Sequence, residues 1–259
     1  MMNRRETDTG RRNGTMVSRD WKEEYEGRTA WIHALVENSG VSGIVFGNSG
    51  GKDSALVGIL CKAACNNTVG VIMPCASKRN YGIDADDGRT LAEQYGIETR
   101  TVDLTGVREA ELAALEEVSD LTELAVANIA PRLRMTTLYA IAAAENRLVA
   151  GTGNRSEAYM GYFTKWGDGA NDFNPISDLT ATEVFQFLRY LNAPQSIIEK
   201  APSAGLFDGQ TDEKEMGVTY RSIDEYLTGG NVSEADRAVI ERYHCRSEHK
   251  RRPIPTYSG

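Results

Sequence analysis

No apolar run in this 259-residue sequence approaches the roughly 20 residues needed to cross a bilayer, and the N-terminal stretch is Arg-rich and polar with no apolar h-region. No membrane partner is expected, and the expected location is the cytoplasm. Cysteine is scarce. Cys61, Cys65, Cys75 and Cys245 form neither a CxxC pair nor a paired framework. Cys61 and Cys65 fall one helical turn apart, but without nearby His or further Cys they read as reduced core thiols, not as a metal site. An excess of positive charge is also missing: the net charge of −8 argues against a nucleic-acid partner and toward small molecules, although a local basic tail exists. Internal repeats are absent, and so is low complexity beyond the first residues.

What is present is ordinary for a globular protein, with 41% hydrophobic and 25% charged residues and enough length to bury a full core. Residues 1–18 are polar, rich in Arg, Asn, Gly and Thr, and aperiodic, so they are expected to be disordered. Residues 19–259 are expected to form a single domain.

The chain is organised around Val41 to Ser54, VSGIVFGNSGGKDS. A short apolar run, Ile44 to Phe46, is followed at once by Gly47, Asn48, Ser49, Gly50 and Gly51, and then by good helix formers from Ala55 to Ala64. That is strand, tight loop, helix. Glycines let the backbone aim N–H groups at an anion, Ser49 and Ser54 add hydroxyls, and the new helix offers its positive end. The loop is expected to hold phosphate. It is not a Walker A loop, because counting from Gly47 places Lys52 where that pattern needs glycine. Read alone, it could also be a Gly-Ser turn with a helix cap.

Ser49-Gly50-Gly51-Lys52-Asp53-Ser54 resembles the SGGxDS signature of the ATP pyrophosphatases, which cut ATP between its α and β phosphates. Asp53 makes sense beside phosphates if a divalent cation sits between them.

Around this loop the pattern alternates. Apolar strands are expected at Thr68 to Met73 and Arg147 to Ala150 and a further one at Thr99 to Leu104. A helix from Asp20, ending at Asn38-Ser39-Gly40, places Trp21, Tyr25, Trp31, Ile32, Leu35 and Val36 near one face, and further helices are expected at Asp84 to Tyr95 and Thr180 to Leu191. Glu109 to Glu145 reads as two helices meeting around Val118 to Leu121, or as one kinked near Pro131. Two more helices are expected at Tyr220 to Leu227 and Ser233 to Tyr243. The fold class is α/β: a doubly wound, mostly parallel sheet with helices on both faces, whose ligand lies outside the carboxyl ends of the strands, where Gly47 and Met73 sit. A second polar loop, Gly151 to Glu157, leaves the strand at Arg147 to Ala150 on the same rim.

Asn128 to Met135, Leu138-Tyr139, Gly151 to Glu157, Tyr162 to Gly169, Pro202 to Leu206, Gly209 to Glu213 and Glu248 to Arg251 resemble NAD synthetase in order and spacing, over about Asp20 to Pro253. The resemblance implies a Rossmann-like fold of the adenine nucleotide alpha hydrolase kind. It also implies a reaction: deamido-NAD is adenylated by ATP with loss of pyrophosphate, and ammonia then displaces AMP. By the same resemblance Asp53 and Glu157 hold Mg²⁺. Gly47 to Ser54, with Asn48, Ser49, Gly50, Gly51 and Lys52 among them, contact ATP together with Met73, Thr152 and Ser203. Asn128, Arg132, Tyr162, Lys165, Asp172, His249 and Lys250 contact the dinucleotide, several of them across the boundary of the family's homodimer. Tyr162 sits where an aromatic stacks on the pyridine ring, and Asp168 sits near ammonia, as an anion able to attract NH₄⁺ and accept its proton.

Plainer readings stand beside these. Glu157 also suits a helix start, Tyr162 and Phe163 a core, Asp168 a turn, and Lys250 to Arg252 a solvated tail. One position departs from the family, which commonly has Lys after the Leu-Thr pair where this chain has Ala181. Lys52 is expected to supply the missing charge. The chain leaves no room for the glutaminase domain of longer relatives, so the nitrogen donor is expected to be ammonia, free or from a separate glutaminase. Residues Ser203 to Gly217, with Gly205, Gly209 and Gly217 around acids and hydroxyls, are the expected lid. Two other readings remain open at this point: adenylation of another acceptor such as a transfer RNA uridine, and a nucleotide-binding regulator without turnover.

Overall fold

Four short runs pair as parallel strands: β1 (Gly43–Gly47), β2 (Thr68–Ile72), β3 (Glu98–Thr101) and β4 (Arg147–Ala150), in the order β3-β2-β1-β4. The computed structural model describes residues 19–76, 81–200 and 212–257. Residues 1–18 and most of the expected lid, Ser203, Gly205 and Gly209 included, lie outside the described residues.

The sheet is buried on both faces, which is why β1 is apolar without alternation. Ile44 and Phe46 face one core, shared with α1 (Trp21–Ser39) and α2 (Lys52–Ala64). Val45 faces the other, with Val69, Val71 and Val149. On α1 the expected apolar face holds for Ile32, which is fully buried, and for Trp21, Tyr25, Leu35 and Val36 packed around it. Trp31 departs from it, half exposed with only an edge against Phe173, because it projects from the flank of the stripe.

After α3 (Ile83–Tyr95), β3 is shorter than the expected strand and more polar, as suits a sheet edge. Pairing nonetheless continues past its end, with the N–H groups of Val102 and Leu104 donating to Ile72 and Pro74 at 2.9 Å. The long helical stretch resolves into three helices instead of two: α4 (Thr105–Glu116), α5 (Glu123–Ala127) and α6 (Ile129–Glu145). The break around Val118 to Leu121 is present. Pro131 causes no kink, because it is the third residue of α6, where an N–H would have no partner within the helix. The remaining helices are α7 (Arg155–Met160), α8 (Ala181–Tyr190), α9 (Gln195–Glu199), α10 (Asp212–Met216), α11 (Tyr220–Leu227), α12 (Glu234–Arg246) and α13 (Glu248–Arg251). A third apolar cluster, around Met160, Met216, Ile223 and Ile240, joins α7 to α11 and α12.

Glu145, at the end of α6, ties two strands together by accepting from Arg100 of β3 and from Arg147 of β4, the latter at 2.7 Å. These bonds, Arg100's first, hold its carboxyl down at about 2. A depressed carboxylate stabilises the fold above its unfolded pKa, and that contribution disappears as pH falls from about 4.3 toward 2. Because the pair is partly exposed, Glu145→Gln is expected to lower Tm by only about 1–3 °C near neutral pH. The gap should close as melting is repeated at falling pH; a gap that stays constant down to pH 3 contradicts this account.

Candidate active site

β1 and β4 are neighbours, with Phe46 opposite Ala150, so the loops leaving their carboxyl ends meet at one rim. A cleft of about 760 Å³ opens there, at the place where open parallel sheets take their ligands.

The first loop is held from behind. Buried Asn48 donates its main-chain N–H to Val71 at 2.9 Å and its side-chain amide to the Gly88 carbonyl at 2.8 Å. Gly50 has φ 69°, and a Cβ there would lie 2.0 Å from the Asp84 carbonyl oxygen. Only glycine fits. Lys200 reaches back to this turn, donating to the Gly50 carbonyl at 3.3 Å while pairing with Asp84 at 2.6 Å and Asp87 at 2.7 Å. In front, Ser49 Oγ lies 3.0 Å from Ser54 Oγ, at the start of α2.

The second loop enters α7 through a capping box. The side chain of Asn154 accepts from the Glu157 N–H and that of Glu157 accepts from the Asn154 N–H, both at 3.0 Å. The same buried amide donates its Nδ2 to Asp53 Oδ1, also at 3.0 Å. One asparagine therefore aligns two carboxylates, one from each loop. Lys52 lies between them, against Asp53 Oδ2 and 4.0 Å from Glu157 Oε1. Burial draws its ammonium pKa down, but the charges of Asp53 and Glu157 outweigh this and leave it raised. Burial and the charge of Asp53 push Glu157 up to about 8, against the pull of Lys52. Asp212 is also buried nearby and accepts from Tyr220 Oη at 3.0 Å.

Across the cleft stand Asn128, Tyr162, Asp168, His249 and Lys250, with Met73 beside the first loop and Thr152 on the second; all of them line it. Tyr162 Oη donates to Glu215 at 2.7 Å, and Thr164 Oγ1 donates to Asn128 at 2.6 Å. Asp168 Oδ1 accepts from the Thr164 N–H at 2.9 Å. Its carboxyl is raised by the protein packed around the cleft, a change that the Thr164 bond and Lys250 only partly oppose. Lys250 is not part of a solvated tail. It donates to the Gly161 carbonyl at 2.8 Å and to the Phe163 carbonyl, strapping α13 to the loop below.

Three residues expected at the substrate do not line the cleft. Lys165 donates to the His249 carbonyl at 2.7 Å, Arg132 reaches the Lys165 carbonyl at 3.4 Å, and Asp172 accepts from the Val149 N–H at 2.8 Å. Ser203 lies outside the described residues. Sequence reasoning assigned no role to Asn154, Lys200, Asp212 or Arg134. Arg134 lines the cleft, donates to the Met73 carbonyl at 3.1 Å, and has its pKa lowered by burial. Only Asn154 carried a readable signal, the spacing of a capping box with Glu157. At the departure from the family pattern, Ala181 is buried at the first turn of α8, its N–H donating to Ser156 Oγ at 3.1 Å. One turn later, the Phe185 ring lies 5.7 Å from Lys52 Nζ.

A phosphate-type loop after the first strand, with acids from two loops aligned at the rim, defines a nucleotide-dependent α/β enzyme of the ATP pyrophosphatase class. The NAD synthase model matches residues 24–254, and the chain belongs to that family. It is 46% identical over 236 residues to the NH(3)-dependent NAD(+) synthetase of Carboxydothermus hydrogenoformans, covering 90% of this chain and 96% of that one. To the enzyme of the same name from Alkaliphilus metalliredigens it is 47% identical, covering 87% and 95%. Among solved structures it is similar to NMN synthetase from Francisella tularensis (TM-score 0.88, 40% identity, 93% of this chain and 100% of that one). It is also similar to the NH3-dependent NAD synthetase of Campylobacter jejuni (TM-score 0.75, 30% identity, 93% and 100%). The chain is a ligase of NAD biosynthesis that amidates deamido-NAD with ammonia at the expense of ATP.

Among the described residues no three His, Cys, Asp or Glu side chains form a metal centre by themselves, and no helix is long and apolar enough to cross a membrane. Two hard carboxylates that leave further positions to water and phosphate oxygens do fit magnesium, which keeps much of its water when bound with nucleotides.

Proposed function

We propose that the cleft carries out both half-reactions with a division of labour between its two walls. The observation that carries this reading is the convergence of Asp53 and Glu157 on Asn154. On that wall the residues Gly47 to Ser54, with Met73 and Thr152, bind ATP, Ser203 joining them, and Asp53 and Glu157 hold Mg²⁺. The metal supplies charge neutralisation for the departing pyrophosphate. The substrate carboxylate attacks the α-phosphorus, the bond to the bridging oxygen breaks, and the loop retains pyrophosphate while the acyl-adenylate forms.

On the other wall Tyr162 stacks on the pyridine ring, Asn128, His249 and Lys250 orient the substrate, and Asp168 takes the proton that ammonia loses as the amide forms and AMP leaves. A carboxyl raised by its surroundings suits that exchange. Arg132, Lys165 and Asp172 act on the outer part of the dinucleotide, in a homodimer where a second subunit completes the site. Lys52 takes the phosphate-neutralising part of the lysine that relatives carry at the position of Ala181; its reach to the Phe185 ring on the same helix supports this. The chain works in the cytoplasm as one domain over residues 19–259, with ammonia free or delivered by a separate glutaminase.

The test follows pyrophosphate and NAD production from ATP, Mg²⁺ and deamido-NAD, with and without ammonium, in wild type and Asp53→Asn. Both products should appear together in wild type and fall together in the variant. Full activity in Asp53→Asn would remove that wall from the mechanism.

A second reading is favoured by the Francisella tularensis structure, which carries the name NMN synthetase and matches more closely than the Campylobacter jejuni NAD synthetase. The same cleft then also accepts the corresponding mononucleotide acid. Comparing kcat/KM for the two acids decides its preference.

A further inference from the structure

Lys52 is unusual in where it sits. Its side chain is 5% exposed, its ammonium lies against Asp53 and 4.0 Å from Glu157, and the rings of Tyr220 and Phe185 flank it at 5.4 and 5.7 Å. The two carboxylates it touches are the pair proposed to take Mg²⁺. The space between those acids therefore already contains a cation of the chain's own.

That arrangement has a direct electrostatic consequence. A divalent ion entering between Asp53 and Glu157 meets a buried positive charge at close range, in surroundings that screen poorly. Either the ion stays out or the ammonium moves. A lysine ammonium on its flexible four-carbon stem can move, and incoming phosphate oxygens offer it new acceptors at the same rim.

We propose that Lys52 is an internal counter-cation. It holds the Asp53 and Glu157 pair together in the free enzyme, keeps divalent ions out, and gives up its place only when ATP brings both metal and phosphate oxygens. The inference rests on the reading that Asp53 and Glu157 are the metal ligands. It makes metal and nucleotide bind together, each raising the affinity for the other, as linkage requires. It also gives the positive charge two successive partners, carboxylates before ATP and phosphates after.

The experiment measures Mn²⁺ binding to the full chain by the electron paramagnetic resonance of the free ion. Without nucleotide, Lys52→Met is expected to bind one Mn²⁺ about tenfold tighter than wild type or better. Lys52→Arg, which keeps the charge, should bind as weakly as wild type. Adding Asp53→Asn to Lys52→Met should cancel the gain. Equal Mn²⁺ affinity in wild type and Lys52→Met overturns the proposal.

A second arm adds a non-hydrolysable ATP analogue to wild type, Asp53→Asn and Glu157→Gln. If both variants weaken Mn²⁺ binding there while Lys52→Met shows no gain without nucleotide, the counter-cation falls and the metal pair stands. If neither variant weakens it, the metal reading itself falls and takes the counter-cation with it. If Lys52→Met does not fold, a crystal structure of wild type with Mn²⁺ and the analogue decides the matter. Lys52 Nζ should be on phosphate oxygen, and an ammonium still against Asp53 beside bound metal overturns the proposal.

Discussion

Glu157→Gln is expected to reduce pyrophosphate release by about a hundredfold or more, yet to make the metal-free protein harder to melt near pH 8. The two effects have one origin. Burial and the charge of Asp53 raise the Glu157 carboxyl to about 8. A carboxyl with a raised folded pKa favours the fold while protonated: that contribution is complete below its unfolded pKa of about 4.3 and is lost progressively as pH rises toward 8. Glutamine has no proton to lose, so its stability curve lacks this decline. It keeps an oxygen to accept from the Asn154 N–H, and Lys52 keeps Asp53, the nearer of its two partners. The expected gain near pH 8 is about 1–3 kcal/mol, read as a Tm rise of several degrees in a chelator. The gain should vanish near pH 4. A variant that melts below wild type at pH 8 without metal contradicts the account of Glu157 as an acid strained by burial beside Asp53. Retained pyrophosphate release contradicts its place in catalysis.

Gly50→Ala is expected to damage both stability and ATP binding. Two costs combine. The left-handed φ of 69° is disfavoured for alanine by about 1 kcal/mol, and the added carbon would sit 2.0 Å from the Asp84 carbonyl oxygen and 2.9 Å from its carbon. Both are main-chain atoms, so no side-chain rotation relieves the overlap. Loop and α3 have to part, which also pulls Lys200 from one of its three partners. The expected loss is about 2–4 kcal/mol in stability, with ATP binding weakened about tenfold or more because the loop no longer presents its N–H groups as a set. Gly40→Ala is the matched control. Gly40 has a similar φ of 64° at the end of α1, but nothing lies within 4 Å of its would-be Cβ. It should cost about 1 kcal/mol and leave ATP binding unchanged. If the two variants behave alike in calorimetric titration with ATP, the close approach at Asp84 is not what shapes the loop.

These two glycines also mark how far the sequence can be read. The strand, loop and helix from Gly43 to Ala64 were legible because each step is local: an apolar run, then glycines and hydroxyls, then helix formers. The same local logic placed Glu157 on the second rim loop, and the α11 boundaries agree residue for residue. What escaped depends on side chains meeting across long separations. Lys200 lies 150 residues from Gly50, and the amide of Asn154 reaches Asp53 across 101. Neither contact leaves a periodic trace. The resemblance names Arg132, Lys165 and Asp172 as dinucleotide contacts; all three lie outside the cleft lining, Arg132 and Lys165 on main-chain carbonyls and Asp172 accepting from the Val149 N–H and from Tyr139 Oη. The single break expected between Glu109 and Glu145 became two because Thr122 caps a short helix of its own, accepting from the Ala125 N–H.

The pairing of β1 with β4 also sets when a growing chain becomes competent. Asp53 emerges from the ribosome about a hundred residues before Asn154 can brace it, and closing so long a loop is slow compared with local helix formation. Until β4 docks beside β1, the phosphate loop exists without its opposing acid. On the proposed reading, Asp53 and Glu157 can act as a pair only once the seam between the two strands has closed.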